Sequence, residues 1–215
     1  MHASTLTDQS HGIDRRRMLR LALATGVAAA AAISAVPARA AEAAAEPIGL
    51  LGSALMHLMQ NGGSPFAQRF AQLAPVVDQT FDLQAILRTS VGPHWSTMSV
   101  GEQADLMKVF RQYTVARFVA SFNKYSGEQF RITGARDVPG GDKVVETKIG
   151  DAQISYVMRQ SVAGWHVIDV LADGSISQVA TQRSDFRATL SHGGGQALAA
   201  SLQRKVSDLS SGSLA

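Results

Sequence analysis

From Pro47 to about Tyr125 apolar positions recur every three or four residues, and after Gly127 they recur every second residue. The pattern predicts helices, then a sheet, then helices again. Ile48, Leu51, Leu55, Leu58 and Met59 mark a helix over 47–60, stopped by Asn61-Gly62-Gly63. Ser64 as N-cap and Pro65 in the first turn open a second helix, with Phe66, Phe70, Leu73 and Val77 on its apolar face and Pro75 placed to kink it. A third covers 81–91, with Asp82 as its cap and Gly92-Pro93 beyond its end. The longest covers 99–125 and opens on a capping box, Ser99 with Glu102. Leu106, Val109, Phe110 and Tyr113 share one arc, which Phe118, Phe122 and Tyr125 widen past half the circumference. Such a helix must be covered on several sides.

Four strands are predicted next, over 128–135, 143–149, 152–162 and 165–172, joined by turns at Gly140-Gly141, Gly150-Asp151, Ala163-Gly164 and Asp173-Gly174. Ile154, Tyr156 and Met158 alternate with Gln153, Ser155 and Arg159, giving that strand one buried face. Residues 165–171 are apolar on both faces, as in a central strand. Short turns between consecutive strands imply an antiparallel meander. Helices return over 184–190 and 196–209, separated by Gly193-Gly194-Gly195. The whole reads as one α+β domain, a curved antiparallel sheet wrapped by N- and C-terminal helices.

The first forty residues form a separate region. Arg15-Arg16-Arg17-Met18-Leu19-Arg20, the Ala-rich run 21–36 and Ala38-Arg39-Ala40 read as a secretory signal cleaved after Ala40. The order of arginines also fits a twin-arginine signal. An uncleaved anchor is the alternative, but a span needs about 20 strongly apolar residues and this run is mostly Ala. The expected boundaries are a signal over 1–40, a flexible leader over 41–46, a domain over 47–209 and a disordered tail over 210–215. The signal also accounts for the formal charge of +3, because residues 1–40 hold five Arg and two Asp. What remains is balanced, which removes the argument for a nucleic-acid partner.

Cysteine is absent, excluding disulfides and thiolate chemistry. Beyond residue 40 the histidines are His57, His94, His166 and His192, none in a metal-binding spacing. His166 and Asp169 are three apart on a predicted strand, so alternation sends them to opposite faces. No metal and no cofactor is expected. Gly193-Gly194-Gly195 lacks the Lys and Ser/Thr of a phosphate loop and reads as a joint. Two residues stand out. Asp169, between Ile168 and Val170, is either a catalytic base or a carboxylate held by backbone donors at a sheet rim. Arg117 falls inside the apolar arc of the long helix. It either contacts an anionic headgroup or pairs with Asp169 or Asp185.

Several blocks resemble the MlaC-like periplasmic lipid-carrier family, especially its hopanoid-associated, HpnM-like branch. They are residues 82–95 (DLQAILRTSVGPHW), 99–103 ahead of the long helix, Tyr125-Ser126-Gly127-Glu128, and 165–186. The likeness runs from about 47 to 205. Gln182-Arg183-Ser184-Asp185-Phe186 departs from the Tyr-Arg-x-x-Phe run of the broader family and suggests the hopanoid branch. The resemblance implies an apolar cavity clasped by sheet and helices, and a non-enzymatic carrier of phospholipid or hopanoid. The expected partner is a membrane-embedded lipid transport complex, and the expected carrier is a monomer. On that reading Val77, Phe81, Leu87, Phe110, Tyr113 and Phe118 line the pocket from the helices. Ile154, Tyr156, Met158, Ile168 and Val170 line it from the strands, with Arg117 at the headgroup. The alternative is an isomerase-like enzyme that uses the same cavity with Asp169 as base.

Overall fold

The computed structural model of the chain describes residues 26–214, with side chains from Ala40 onward. Most of the expected export signal, residues 1–25, lies outside the described residues. The chain divides into two units, Met1–Ala40 and Ala41–Ala215. Helix α1 is Gly26–Gln60. From residue 41 it belongs to the second unit, where Ala44, Ile48, Leu51 and Leu55 are fully buried. The expected flexible leader over 41–46 is therefore helix. Ala44 sits one turn before Ile48 and joins the same apolar stripe.

Helix α2 (Phe66–Thr80) starts after Pro65, which takes the cap position with no side-chain bond, so Ser64 does not cap it. The helix runs through Pro75. Helix α3 (Leu83–Val91) begins as expected, the Ala85 N–H donating to Asp82 Oδ1 at 2.8 Å. A 3-10 segment (Gly92–Thr97) leads to helix α4 (Val100–Ser121), whose capping box is complete. The Ser99 N–H donates to Glu102 Oε2 at 2.9 Å and the Glu102 N–H donates to Ser99 Oγ at 3.2 Å. Helix α4 ends four residues earlier than its pattern suggests. Arg69 of α2 closes it, donating to the carbonyls of Val119 and Phe122 at 2.8 and 2.9 Å.

The sheet is an antiparallel meander in the order β1-β2-β3-β4-β5. Its strands are β1 (Phe130–Asp137), β2 (Lys143–Ile149), β3 (Ala152–Ser161), β4 (Gly164–Ala172) and β5 (Ile176–Ser177). The fifth strand exceeds the expected four. It follows an Asp173-Gly174 turn in which both residues have positive φ, 49° and 73°, as a tight hairpin requires. Strand β4 carries a bulge opposite Val157 and Met158. Asp169 pairs with Val157 and Val167 with Met158, leaving Ile168 without a partner.

Helix α5 (Gln178–Ser210) replaces the two short helices expected at the end. The run is interrupted only at Gly194, whose φ of 61° and ψ of −156° are non-helical. Ser210 is buried and Ser213 N–H donates to its carbonyl at 3.0 Å, so the expected tail begins as an ordered turn. Helices α2, α3 and α5 all contact β4. The core therefore lies between the helices and the β3–β4 face, where Tyr156, Met158 and Val167 are buried. Among the described residues no helix is long and apolar enough to cross a membrane.

Candidate functional site: an apolar cavity between α4, the sheet and the start of α5

The junction between α2 and α3 is pinned to the sheet. Phe81 forms a parallel bridge with Val167, and the Asp82 N–H donates to the Val167 carbonyl at 2.9 Å. This fixes Phe81 over the β4 face and turns Leu83 and Ile86 toward the same space. Phe118 of α4 meets Phe81 edge-on at 5.6 Å and stacks with Phe122 at 6.1 Å. Together they form an aromatic wall.

Behind that wall is a cavity of about 340 Å³. Helix α4 contributes Phe110, Thr114, Arg117, Phe118 and Ser121, and the sheet contributes Ile154, Val170 and Ala172. Gln178, Val179 and Gln182 of α5 complete it, with Asp169 at its border. The lining is predominantly apolar with a few polar groups, the usual make-up of a small-molecule site.

Of the residues expected to line a pocket, Phe81, Phe110, Phe118, Ile154 and Val170 do so, together with Arg117. Val77, Leu87, Tyr156 and Met158 are instead fully packed core. Burial pushes the Tyr156 phenol's pKa upward. Ile168 is displaced by the bulge. Past the unpaired residue the alternation restarts, so Val167, Val170 and Ala172 pair with Met158, Tyr156 and Ile154 on the cavity side. The same shift corrects the expectation for His166 and Asp169. They pair with Arg159 and Val157, which share the other face of β3. Among the described residues no group of three His, Asp or Glu is placed to hold a metal. Tyr113 lies outside the cavity, beneath the Arg117 guanidinium, whose Cζ is 5.7 Å from the ring centroid.

Asp169 is committed to the framework. Its Oδ1 accepts from the N–H groups of Val170 (2.8 Å) and Val179 (3.1 Å), and its Oδ2 accepts from Ser177 Oγ at 2.5 Å. Ser177 Oγ in turn accepts from the Ala180 N–H at 3.0 Å, capping α5. The carboxylate thus ties β4 to the first turn of α5, as a charge-assisted cap. No ion pair joins Arg117 to Asp169 or Asp185 among the described residues.

Sequence reasoning missed the α5 contribution. The pattern starts that helix only at 182–184 and leaves Gln178 and Val179 outside it, although Ser177 is a local N-cap residue whose Oγ accepts from the Ala180 N–H. It also missed Arg69, a buried guanidinium bonded only to helix-end carbonyls, its Nε without a partner. Burial lowers its pKa from the ordinary arginine value.

A family model described as MlaC protein matches residues 52–204. A solved structure, that of a phospholipid-binding protein from Ralstonia solanacearum in complex with a phospholipid, superposes with a TM-score of 0.68 at 17% sequence identity. The match covers 78% of this chain and 98% of that one, and at this identity it speaks for the fold. No curated protein matches the chain.

Proposed function

The chain belongs to the MlaC family, and on that premise we propose that it is a periplasmic carrier that holds a lipid's apolar part in the cavity behind Phe81 and Phe118. The cavity carries this reading. A lipid crossing water exposes several hundred Å² of apolar surface, which at roughly 25 cal/mol per Å² costs on the order of 10 kcal/mol, and an apolar enclosure removes that cost. Shuttling needs no nucleophile or metal. The phospholipid bound to the Ralstonia solanacearum protein supports the ligand class, and a hopanoid is the variant of it that the 182–186 run suggests. At about 340 Å³ the cavity is near the lower end for drug-sized ligands, roughly 300–1,000 Å³. A two-chain lipid is larger, so loading parts the walls. The joint at Gly194, beyond the α5 turns that form one wall, is where that movement is least costly. Export follows from a signal cleaved after Ala40, and the carrier acts as a monomer that docks on a membrane-embedded lipid transport complex.

Native mass spectrometry of the protein purified from its own periplasm tests this. A bound lipid mass is expected. Protein that arrives empty and also takes up neither phospholipid nor hopanoid from vesicles refutes the carrier.

A further inference from the structure

Beside the cavity lies a second, shallower groove of about 250 Å³, lined by Tyr113, Arg117, Lys205, Asp208 and Leu209. Tyr113 and Arg117 come from α4, and the other three from the last turns of α5. Arg117 belongs to both linings, so the groove and the apolar cavity adjoin through one side chain.

The groove is built around one ring. The Arg117 Cζ is 5.7 Å and the Lys205 Nζ 5.8 Å from the Tyr113 centroid, both within cation–π range. Neither cation is in an ion pair among the described residues. Asp208 is the one acid in the lining and lies beyond ion-pair distance of both. Two cations and one carboxylate leave one net positive charge. Past residue 40 the chain is otherwise balanced, so this is a local arrangement. A planar guanidinium fork with an ammonium beside it is suited to phosphate oxygens. The single surplus charge favours a phosphate anion, and the adjoining apolar cavity makes the diester of a lipid the phosphate placed to reach it.

We propose that this groove is a phosphodiester subsite, in which Arg117 and Lys205 hold the phosphate of the lipid whose apolar part occupies the adjoining cavity. The inference rests on the carrier reading above and adds to it a means of choosing phosphate-bearing lipids over neutral lipids with the same chains.

Delipidated protein is offered mixed vesicles containing equal dioleoyl-phosphatidylglycerol and dioleoylglycerol, and the loaded species are counted by native mass spectrometry. The native chain is expected to favour the phospholipid by about tenfold, the effect of one charge-assisted contact. Lys205→Gln, a change at an exposed position, is expected to reduce that preference severalfold, and Arg117→Gln with Lys205→Gln to bring it near unity. Loading of both lipids without preference, or a preference unmoved by Lys205→Gln, overturns the subsite and leaves the carrier intact. Loading of neither lipid overturns the subsite, and the carrier falls with it only where hopanoid vesicles also leave the protein empty. Titration of lipid-free protein with inorganic phosphate separates the two sources of the anion. Phosphate binding that the substitutions abolish, with no change in lipid preference, makes the groove a free-anion site and overturns the headgroup assignment.

Discussion

At the scale of single residues, Asp169 is a carboxylate held by backbone donors, one of the two roles its sequence context offers, and an irregular ladder is what puts it there. Flanked by Ile168 and Val170, it reads as a carboxylate in an apolar wall. The bulge turns it instead toward the N-terminus of α5, where two N–H groups and one hydroxyl use its oxygens. A group engaged in that way has structural work to perform. Asp169→Ala leaves the Val179 N–H without its acceptor and frees the Ser177 hydroxyl. The expected cost is about 2 kcal/mol. Hydrogen exchange at Val179 and Ala180 is expected to accelerate while the strands keep their protection. Asp169→Asn retains an acceptor oxygen and is expected to cost less. Equal exchange in the native chain and Asp169→Ala would show that the tie does not hold α5.

At the scale of elements, local chemistry was most legible where it is self-contained. Asp82, Ser99 and Glu102 cap their helices as their spacing implies, because a cap needs only its own first turn. The alternation of Ile154, Tyr156 and Met158 was legible for the same reason. What failed depends on distant partners. The bulge at Ile168 is fixed by pairing with β3, the end of α4 by Arg69 on another helix, and the early start of α5 by Asp169. In each case the partner sits on another element, so the local period does not reveal it; at α5 the Ser177 cap is a local signal as well, and sequence reasoning missed it. The split between lining and core is of the same kind: Leu87 and Phe110 look alike in periodicity, and only the packed helices decide which faces open space. The capping box also predicts a pH dependence. Hydrogen bonds from the Ser99 N–H and then its hydroxyl hold the Glu102 carboxyl below its ordinary pKa. A depressed folded-state pKa contributes stability above the unfolded value, and that stability is lost as pH falls through the folded one. The melting temperature of the native chain is therefore expected to exceed that of Glu102→Gln at neutral pH. The gap should close as pH drops below about 4, under the ordinary carboxyl range of Glu. It should also narrow in high salt. A gap independent of pH would locate the effect in packing.

At the scale of the whole molecule, a carrier must leave unfilled a space that a stable protein would fill. Void walls lose contacts they would otherwise make, so the cavity behind Phe81 and Phe118 is a standing cost to the empty protein. A ligand recovers it. At a hundredfold excess over its dissociation constant a bound lipid adds about 2.7 kcal/mol of stability. Filling the space with a side chain separates these two quantities. Ile154 lines the cavity from β3 and is packed on the core behind, so Ile154→Trp projects a ring into the void. Covering even about 40 Å² of apolar wall contributes on the order of 1 kcal/mol. The lipid-free variant is thus expected to melt at or above the native temperature, while lipid raises its melting point little or not at all. Val170→Phe, from the neighbouring strand, is the check against overpacking at either site, which would lower the melting point of that variant alone. If both variants fold and still gain the full stabilisation from lipid, the apolar part of the ligand lies elsewhere. If both fold and lose it, the unfilled space is what the family's fold maintains at the expense of stability.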